Sequence, residues 1–280
     1  MFSSPFHSLL DFLTPGAMQA YVVLMFLAVV AGTLIDVMHK KSAQYFFENA
    51  EKAKKNARRS INGSEKAAVA MSTLANEVLT SSEFCNPDRR KSHLLTMYGF
   101  IIFVVTTVIL IFGYPTPVDG SGGFIALLWH IGAAMVCVGG FWFWFFIRVD
   151  LNSEGNPWYR LVRADLFVLS LLSTTTFGLL WSLTRWATAL NELFFLLFIV
   201  AATVLFTTVL WSKFAHMFFK PAAAYQKKIT KADGSQENLP DIGDLSDPEL
   251  QARYPDIPTY MGEKPEYMGL GIKRESPNHY

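Results

Sequence analysis

The sequence predicts an all-α integral membrane protein: a five-helix transmembrane bundle with a cytoplasmic helical loop and an extended C-terminal tail. Apolar residues are concentrated in five stretches, each long enough to cross about 30 Å of hydrocarbon at about 1.5 Å per helical residue. No stretch has a charged residue near its middle, where insertion would cost about 2.5–3.5 kcal/mol. The alternation typical of β-barrels is absent, so the spans are predicted to be helices. The stretches are residues 17–35, 94–113, 124–147, 164–184 and 190–212.

The basic residues predict the orientation of the bundle. Of the 24 Lys and Arg residues, 23 lie in the segments 40–91, 148–163 and 213–280, and only Arg185 falls on the opposite side. Cytoplasmic loops carry the excess of Lys and Arg, so the N-terminus is expected outside and the C-terminus in the cytoplasm. We therefore expect a multi-pass protein of the cell's inner (cytoplasmic) membrane.

The chain is expected to divide into five parts along its length. Residues 1–16 form an outer segment, and residues 17–39 form the first span. That span has no basic residue before it and no small-residue cleavage site after it, so it is expected to remain in the mature protein as a helix. Residues 40–92 form the cytoplasmic loop, and residues 93–220 contain the other four spans. The tail, residues 221–280, is polar and rich in Pro and Asp, and is expected to be mostly disordered in isolation.

An apolar stripe at helical spacing lies in the cytoplasmic loop, within residues 64–79. Its members are Ala67, Ala68, Met71, Leu74, Val78 and Leu79. Two interpretations are open. The stripe packs on the bundle or the lipid surface, or it is a docking face for a partner protein.

Several classes of chemistry are excluded by what the sequence lacks. Cys85 is predicted to be cytoplasmic and Cys137 lies inside the third span, so the two cannot meet in an oxidising compartment. Without a C-x-x-C motif, any iron–sulfur cluster must belong to a partner. The sequence has no Gly-rich phosphate loop, no His-Glu-x-x-His, and no basic–aromatic patch that would favour nucleic acid.

Two histidines are predicted to lie at the same membrane face. His93 opens the second apolar segment, and His216 lies near the end of the last. One haem iron can be held by two imidazoles at matched depth on neighbouring helices, so the pair is a candidate for the axial ligands of one haem b. The alternative is that both are ordinary interfacial histidines. Nearby cations that suit haem propionates are Arg89, Arg90, Lys213 and Lys220.

Two further histidines are secondary candidates. His130 lies about two turns into the third span, where a hydrogen bond to another helix is the simplest role. A quinone contact or a ligand to a second haem are its other possible roles. His39, just past the first span, is the fallback haem ligand should His93 or His216 not serve.

The sequence around the first two histidines resembles a known family. The runs are Arg90-Lys-Ser-His-Leu-Leu-Thr-Met-Tyr-Gly-Phe100 and Ser212-Lys-Phe-Ala-His-Met-Phe-Phe-Lys-Pro221. They resemble the cytochrome b-like membrane subunits of the heterodisulfide reductase and nitrate reductase gamma type, and within these the membrane anchor associated with dissimilatory adenylylsulfate reductase (AprM type). The resemblance covers about residues 20–220. It implies a quinone-reactive helical bundle in which the histidines of these two runs bind haem b.

The chain also departs from that family. Two-haem members have further histidines some three turns deeper in the second and last helices, where this sequence has Phe103 and Phe198. The resemblance therefore implies at most one haem b, at the inner face.

The resemblance predicts a membrane subunit of a respiratory redox complex in sulfur metabolism. It would anchor a soluble cytoplasmic flavin and iron–sulfur oxidoreductase and pass electrons between that enzyme and the quinone pool. The likeness to the AprM-type anchor implies that the soluble enzyme is adenylylsulfate reductase. The alternative is a haem-free structural anchor that recruits the soluble enzyme through the 64–79 stripe and the Tyr-rich tail.

Overall fold

Within the part of the chain that the structure describes, every regular element is a helix, and five helices are long and apolar enough to cross a membrane. This computed structural model describes residues 3–39, 42–82, 84, 86–120, 122–148, 159–185, 188–209, 216–235 and 247–253. The predicted fold class, an all-α membrane bundle, is confirmed.

The helices follow the predicted order with changed boundaries. The first span is α1 (Pro15–His39), and α2 (Ser42–Lys55) and α3 (Gly63–Thr73) follow it, with a π-helical turn over Leu74–Leu79. The second and third spans are α4 (Pro87–Gly113) and α5 (Gly123–Trp142), the latter extended by a π-helical turn to Ile147. The fourth and fifth spans are α6 (Leu166–Leu183), entered through a 3-10 turn from Arg163, and α7 (Thr188–Thr207). Helices α8 (His216–Ala232) and α9 (Pro248–Arg253) are the last two helices among the described residues.

The second and third spans pack with their backbones in close contact. A Cβ atom built on Gly99 would lie 2.8 Å from the Gly132 carbonyl oxygen, and one on Gly139 would lie 2.7 Å from the Ser92 carbonyl oxygen. The Ser92 hydroxyl donates to the Gly139 carbonyl at 2.8 Å. Small residues at a helix crossing permit this approach and let dispersion forces act between the helices. The pair therefore forms a closely packed unit, and the fourth span packs against its third-span side.

The third and fourth spans are joined at the end of the bundle that carries Arg90, Arg148 and Arg163, which we call the basic end. Arg148 forms an ion pair with Asp165, and the two side chains are 9% and 12% exposed. The Arg148 guanidinium also lies 3.8 Å from the centre of the Trp144 ring and donates to the Arg160 carbonyl. This largely buried cluster fixes the ends of two spans against each other.

Helices α2, α3 and α8 form a layer against one another at the basic end. The backbone N–H groups of Arg58 and Arg59 donate to the Asp233 carbonyl, which ties the loop after α2 to the end of α8. An ion pair between Lys228 and Glu77, 3.1 Å apart, joins α8 to the turn after α3. The layer is therefore built partly from residues assigned by sequence to the C-terminal tail.

The first part of the tail, which is predicted to be mostly disordered in isolation, is helical in the structure. Residues 221–232 continue helix α8. The side chains at the spacing of one helical face are partly buried, and Thr230 is fully buried; that face comprises Pro221, Ala224, Tyr225, Lys228 and Ile229. Tertiary packing of this amphipathic face stabilises a helix whose composition alone suggested disorder. Residues 236–246 and 254–280 of the predicted tail lie outside the described residues.

The predicted apolar stripe runs along α3 and the π-helical turn after it, and most of it is exposed. Met71 is 66% exposed, Leu74 and Leu79 are each 46% exposed, and Val78 is half-buried. The opposite face of α3, with Val69, is the more buried one, and α3 contacts α8. The exposed part of the stripe does not pack on the bundle, so the lipid surface and a partner protein remain its possible contacts.

Candidate functional site

The sequence predicts His93 at the start of the second span, but in the structure His93 lies almost two turns inside that helix. The helix begins at Pro87, whose fixed φ suits the first helical position. Asn86 caps it, because its side-chain oxygen accepts from the backbone N–H groups of Asp88 and Arg89 at 2.9 and 3.2 Å. With the helix begun earlier, His93 is held on a formed helical turn, next to the Ser92 contact with the third span.

The ring of His93 is oriented by Ser81. The Ser81 Oγ atom lies 3.1 Å from His93 Nδ1. The hydroxyl also lies 3.5 Å from the Val78 carbonyl oxygen, at the end of the preceding π-helical turn. A histidine that binds a metal through one nitrogen commonly has its other nitrogen hydrogen-bonded to the protein, as Nδ1 is here.

Ser81 has an uncommon backbone conformation. Its φ is 47°, in the left-handed region that favours glycine. It follows the π-helical turn, where the Ser82 N–H donates to the Asn76 carbonyl at 2.9 Å and closes the helix end. A glycine would adopt this conformation at lower cost, but it would lack the hydroxyl that contacts His93. The side chain is also 1% exposed, so its position is well defined by packing.

Phe84 links His93 to helix α8. The ring centres of Phe84 and His93 are 4.9 Å apart, and Lys220 Nζ lies 5.4 Å from the centre of the Phe84 ring. Lys220 is four residues, about one turn, after His216, the first residue of α8. Phe219 packs on the cluster of Val136, Leu171, Leu205 and Val209, together with Phe100 of the second span. The start of α8 and the start of the second span therefore meet at the basic end.

The fifth span does not carry His216. It ends at Thr207, where the Thr207 and Thr208 hydroxyls donate to the carbonyls one turn earlier at 2.6 Å each. Hydrogen bonds from side-chain hydroxyls satisfy these backbone carbonyls and compete with the N–H bonds that would continue the helix. His216 instead begins the separate helix α8, and its backbone is described while its side chain is not.

The cations predicted to lie near haem propionates include Arg90, which the structure describes, and Lys213, which it does not. Arg90 Nε donates to the Thr80 carbonyl at 2.8 Å, so Arg90 also holds the turn that contains Ser81. Lys213 lies outside the described residues. His39, the fallback ligand, is an exposed residue at the end of the first span.

His130 makes the predicted hydrogen bond to another helix. Its Nδ1 atom lies 2.6 Å from the Ala126 carbonyl oxygen and must donate to it, so Nε2 accepts from the Ser182 hydroxyl of the fourth span at 2.7 Å. Arg185 Nη2 lies 3.3 Å from the same hydroxyl oxygen. His130 is 6% exposed, and both ring nitrogens are engaged within the protein.

Aromatic side chains fill the bundle at the depth of Phe103 and Phe198. The Phe103 ring lies 5.0 Å from Trp129, and the Phe198 ring stacks on Trp181 at 5.7 Å. Phe6, from the 3-10 turn before the first span, contacts both tryptophans. All five are at most 6% exposed. This aromatic cluster fills the interior of the bundle at that depth.

Sequence reasoning missed Ser81 and Phe84, although the local sequence offered part of the information. The Asn86–Pro87 pair is typical of a helix start and would have placed His93 inside the helix. It would also have placed residues 80–86 in a turn beside that helix. Nothing in the sequence indicated that this turn folds back onto the histidine.

No family model, curated protein or solved structure matches the chain. Its function is therefore inferred from its residues, their geometry and the motif resemblance around His93 and His216.

Proposed function

We propose that the chain is the membrane subunit of a respiratory redox complex, which holds one haem b between His93 and His216 and passes electrons between a soluble cytoplasmic enzyme and the quinone pool. The observation that carries the proposal is the contact series from His93 through Phe84 to Lys220. Through it the turn before the second span contacts Lys220, which follows His216, the first residue of α8, by about one helical turn.

The chemistry of the donor set fits haem. The Ser81 hydroxyl lies 3.1 Å from His93 Nδ1, which would orient the ring with Nε2 as the metal-binding atom. His216 is at the first position of α8 and would supply the second imidazole. Arg90 and Lys220 supply positive charge at this end of the bundle for propionates.

The bound haem would supply one-electron transfer, and the chain would supply position and surroundings. The predicted topology places the basic end in the cytoplasm, where the layer of α2, α3 and α8 offers a surface for a soluble flavin and iron–sulfur enzyme. The motif resemblance suggests adenylylsulfate reductase as that enzyme. The quinone would reach the protein from the bilayer.

The proposal predicts one haem b per chain. Protein purified in mild detergent should show the α-band of a b-type haem in a dithionite-reduced minus oxidised spectrum. His93→Ala and His216→Ala should each abolish haem binding in folded protein, because each removes one axial ligand.

The matched control is His39→Ala, which removes an exposed histidine at the basic end of the bundle. This variant should retain the haem. Loss of haem in this variant, with retention in His93→Ala, would reassign the ligand. A folded wild-type chain without haem, expressed with sufficient haem supply, would contradict the proposal.

A second prediction concerns Ser81. Ser81→Gly should lower haem affinity about 10–100-fold, the usual effect of removing the orienting partner of a metal-bound histidine. The free energy of unfolding should change by less than about 1 kcal/mol, because the easier left-handed conformation of glycine offsets part of the loss of the buried hydrogen bond. Haem titration and thermal unfolding of the apoprotein measure the two effects separately.

The control for this variant is Ser82→Gly, which removes an exposed neighbouring hydroxyl. It should leave haem affinity unchanged. Equal haem affinity in Ser81→Gly and wild type would show that the hydroxyl does not orient a ligand.

The second candidate function is a haem-free anchor that recruits the soluble enzyme without transferring electrons. The exposed stripe of α3 favours it, since Met71, Leu74 and Leu79 form an apolar face on a helix whose other side is already packed. The spectrum of the purified protein separates the candidates. An anchor would be folded without haem, and a His93→Ala, His216→Ala double variant would still hold the flavin enzyme at the membrane.

A further inference from the structure

The end of the apolar stripe of α3 is fixed to the second span at the basic end of the bundle. The Tyr98 hydroxyl donates to the Leu79 carbonyl at 2.6 Å. Tyr98 lies near the start of the apolar stretch 94–113, on an exposed face that continues through Ile101 and Val105, which are 48% and 50% exposed. An apolar face that a membrane-spanning helix leaves exposed contacts lipid. Leu79 therefore lies beside the lipid-facing side of the second span.

The π-helical turn after α3 keeps Leu79 in line with the rest of the stripe. Hydrogen bonds in such a turn join residues five apart, and the bond from the Thr80 N–H to the Ala75 carbonyl, at 3.1 Å, is of this kind. Residues five apart therefore lie on one side of the turn, so Leu79 lies on the side of Leu74. In an α-helix of about 3.6 residues per turn the two would point about 140° apart. Met71, Leu74 and Leu79, all exposed, thus form one apolar line that ends at the second span.

The acidic residues of this segment are paired with cations of the layer formed by α2, α3 and α8. Within residues 63–79 the acidic residues are Glu65 and Glu77. Glu65 forms an ion pair with Arg59, and Glu77 forms one with Lys228 at 3.1 Å. The third charged residue of the segment, Lys66, is a cation, which anionic lipid headgroups attract. The charges of the segment therefore do not oppose its contact with a lipid surface.

We propose that α3 and its π-helical turn lie in the membrane interface at the basic end, with Met71, Leu74 and Leu79 inserted among the lipid chains beside the second span. An amphipathic helix in this position buries its apolar face about 5–10 Å into the boundary between headgroups and acyl chains. The bond from Tyr98 to Leu79 favours lipid over a soluble partner, because it joins the stripe to a surface that is itself in contact with lipid.

This inference does not depend on haem binding. It does bear on the second candidate function, because a stripe inserted in lipid is not available to a soluble enzyme. That enzyme would then dock on the other surfaces of the layer formed by α2, α3 and α8.

Spin labelling of the protein in nanodiscs of phosphatidylcholine and phosphatidylglycerol tests the proposal. A nitroxide is attached to Met71→Cys or Leu74→Cys in a chain whose own cysteines, Cys85 and Cys137, are replaced by alanine. Oxygen concentrates in hydrocarbon, whereas a nickel chelate stays in water. The ratio of oxygen to chelate collision rates at both positions should approach that of a label at Val105→Cys, the lipid-facing reference.

The matched control is Ser72→Cys, next to Met71 in the same helix. Ser72 is exposed, and its hydroxyl accepts from the Asn76 side chain at 3.3 Å, so the two form a polar side of the segment. A label at Ser72 should give a ratio several-fold lower than a label at Met71. Size-exclusion and circular-dichroism profiles that match those of the wild-type chain establish that the labelled variants are folded.

Two results would overturn the proposal. Equal preference for the nickel chelate at Met71, Leu74 and Ser72 would place the stripe in water, where a soluble partner can reach it. Protection of Met71 and Leu74 from both reagents would show that protein, such as a second copy of the chain, covers the stripe. Should the cysteine-free chain not fold, a benzophenone photoprobe at Met71 of the native chain should crosslink to phospholipid, and its failure to do so while crosslinking to protein would contradict the proposal equally.

Discussion

Replacing Gly132 with alanine is expected to lower the free energy of unfolding by about 1–3 kcal/mol, and replacing it with leucine by more. A Cβ atom at Gly132 would lie 2.7 Å from the Phe103 backbone nitrogen and 2.9 Å from the Gly99 carbonyl oxygen. Both are backbone atoms of the second span and cannot rotate away as a flexible side chain would. The second and third spans would have to separate, which loses close contacts along the whole crossing. Denaturant-induced unfolding in mixed micelles, followed by circular dichroism, measures the change.

The matched control is Gly16→Ala, because nothing lies within 4 Å of a Cβ atom built at Gly16. This variant should change the free energy of unfolding by less than about 0.5 kcal/mol. Equal stability of Gly132→Ala and Gly16→Ala would show that the two spans are not packed backbone to backbone.

The spans were predictable from the sequence, but their mutual packing was only partly so. Hydropathy identifies a helix that must be in the membrane. It does not show which face meets a neighbour, since lipid and protein interior are both apolar. The small residues carry that information: Ser92, Gly99 and Thr106 recur every seven residues in the second span, and Gly132 and Gly139 have the same spacing in the third. All five are buried in the structure.

The position of His93 at one end of the second span was predictable, whereas the side chains around it were less so. The histidine motif placed His93 at a membrane face, and the structure keeps it at the basic end. The contact with Ser81 depends on a π-helical turn and a serine with φ of 47°, and propensities do not predict either. The separate helix α8 escaped prediction for another reason. Its lysines and alanines suggest a solvated tail, and only packing against α2 and α3 gives its apolar face a partner.

Removing Arg148 is expected to destabilise the bundle by about 3–5 kcal/mol, because it leaves Asp165 as a largely buried carboxylate without its cation. The lost interactions also include the contact with Trp144 and the bond to the Arg160 carbonyl. Arg148→Met keeps much of the side-chain volume, so the effect reports the charge rather than a cavity. The double variant Arg148→Met, Asp165→Leu should be less destabilised than Arg148→Met alone, because no buried charge then remains unpaired.

The matched control is Lys91→Met, which breaks the Lys91–Asp88 pair on the exposed face of the second span. The Lys91 and Asp88 side chains are 64% and 59% exposed, and such pairs contribute at most about 1 kcal/mol. The free energies of unfolding of Arg148→Met, the double variant, Lys91→Met and wild type test the prediction. If Arg148→Met were no less stable than Lys91→Met, the cluster of Arg148, Asp165 and Trp144 would not join the third and fourth spans. In that case the third and fourth spans would be held together by their other contacts, among them the hydrogen bond between His130 and Ser182.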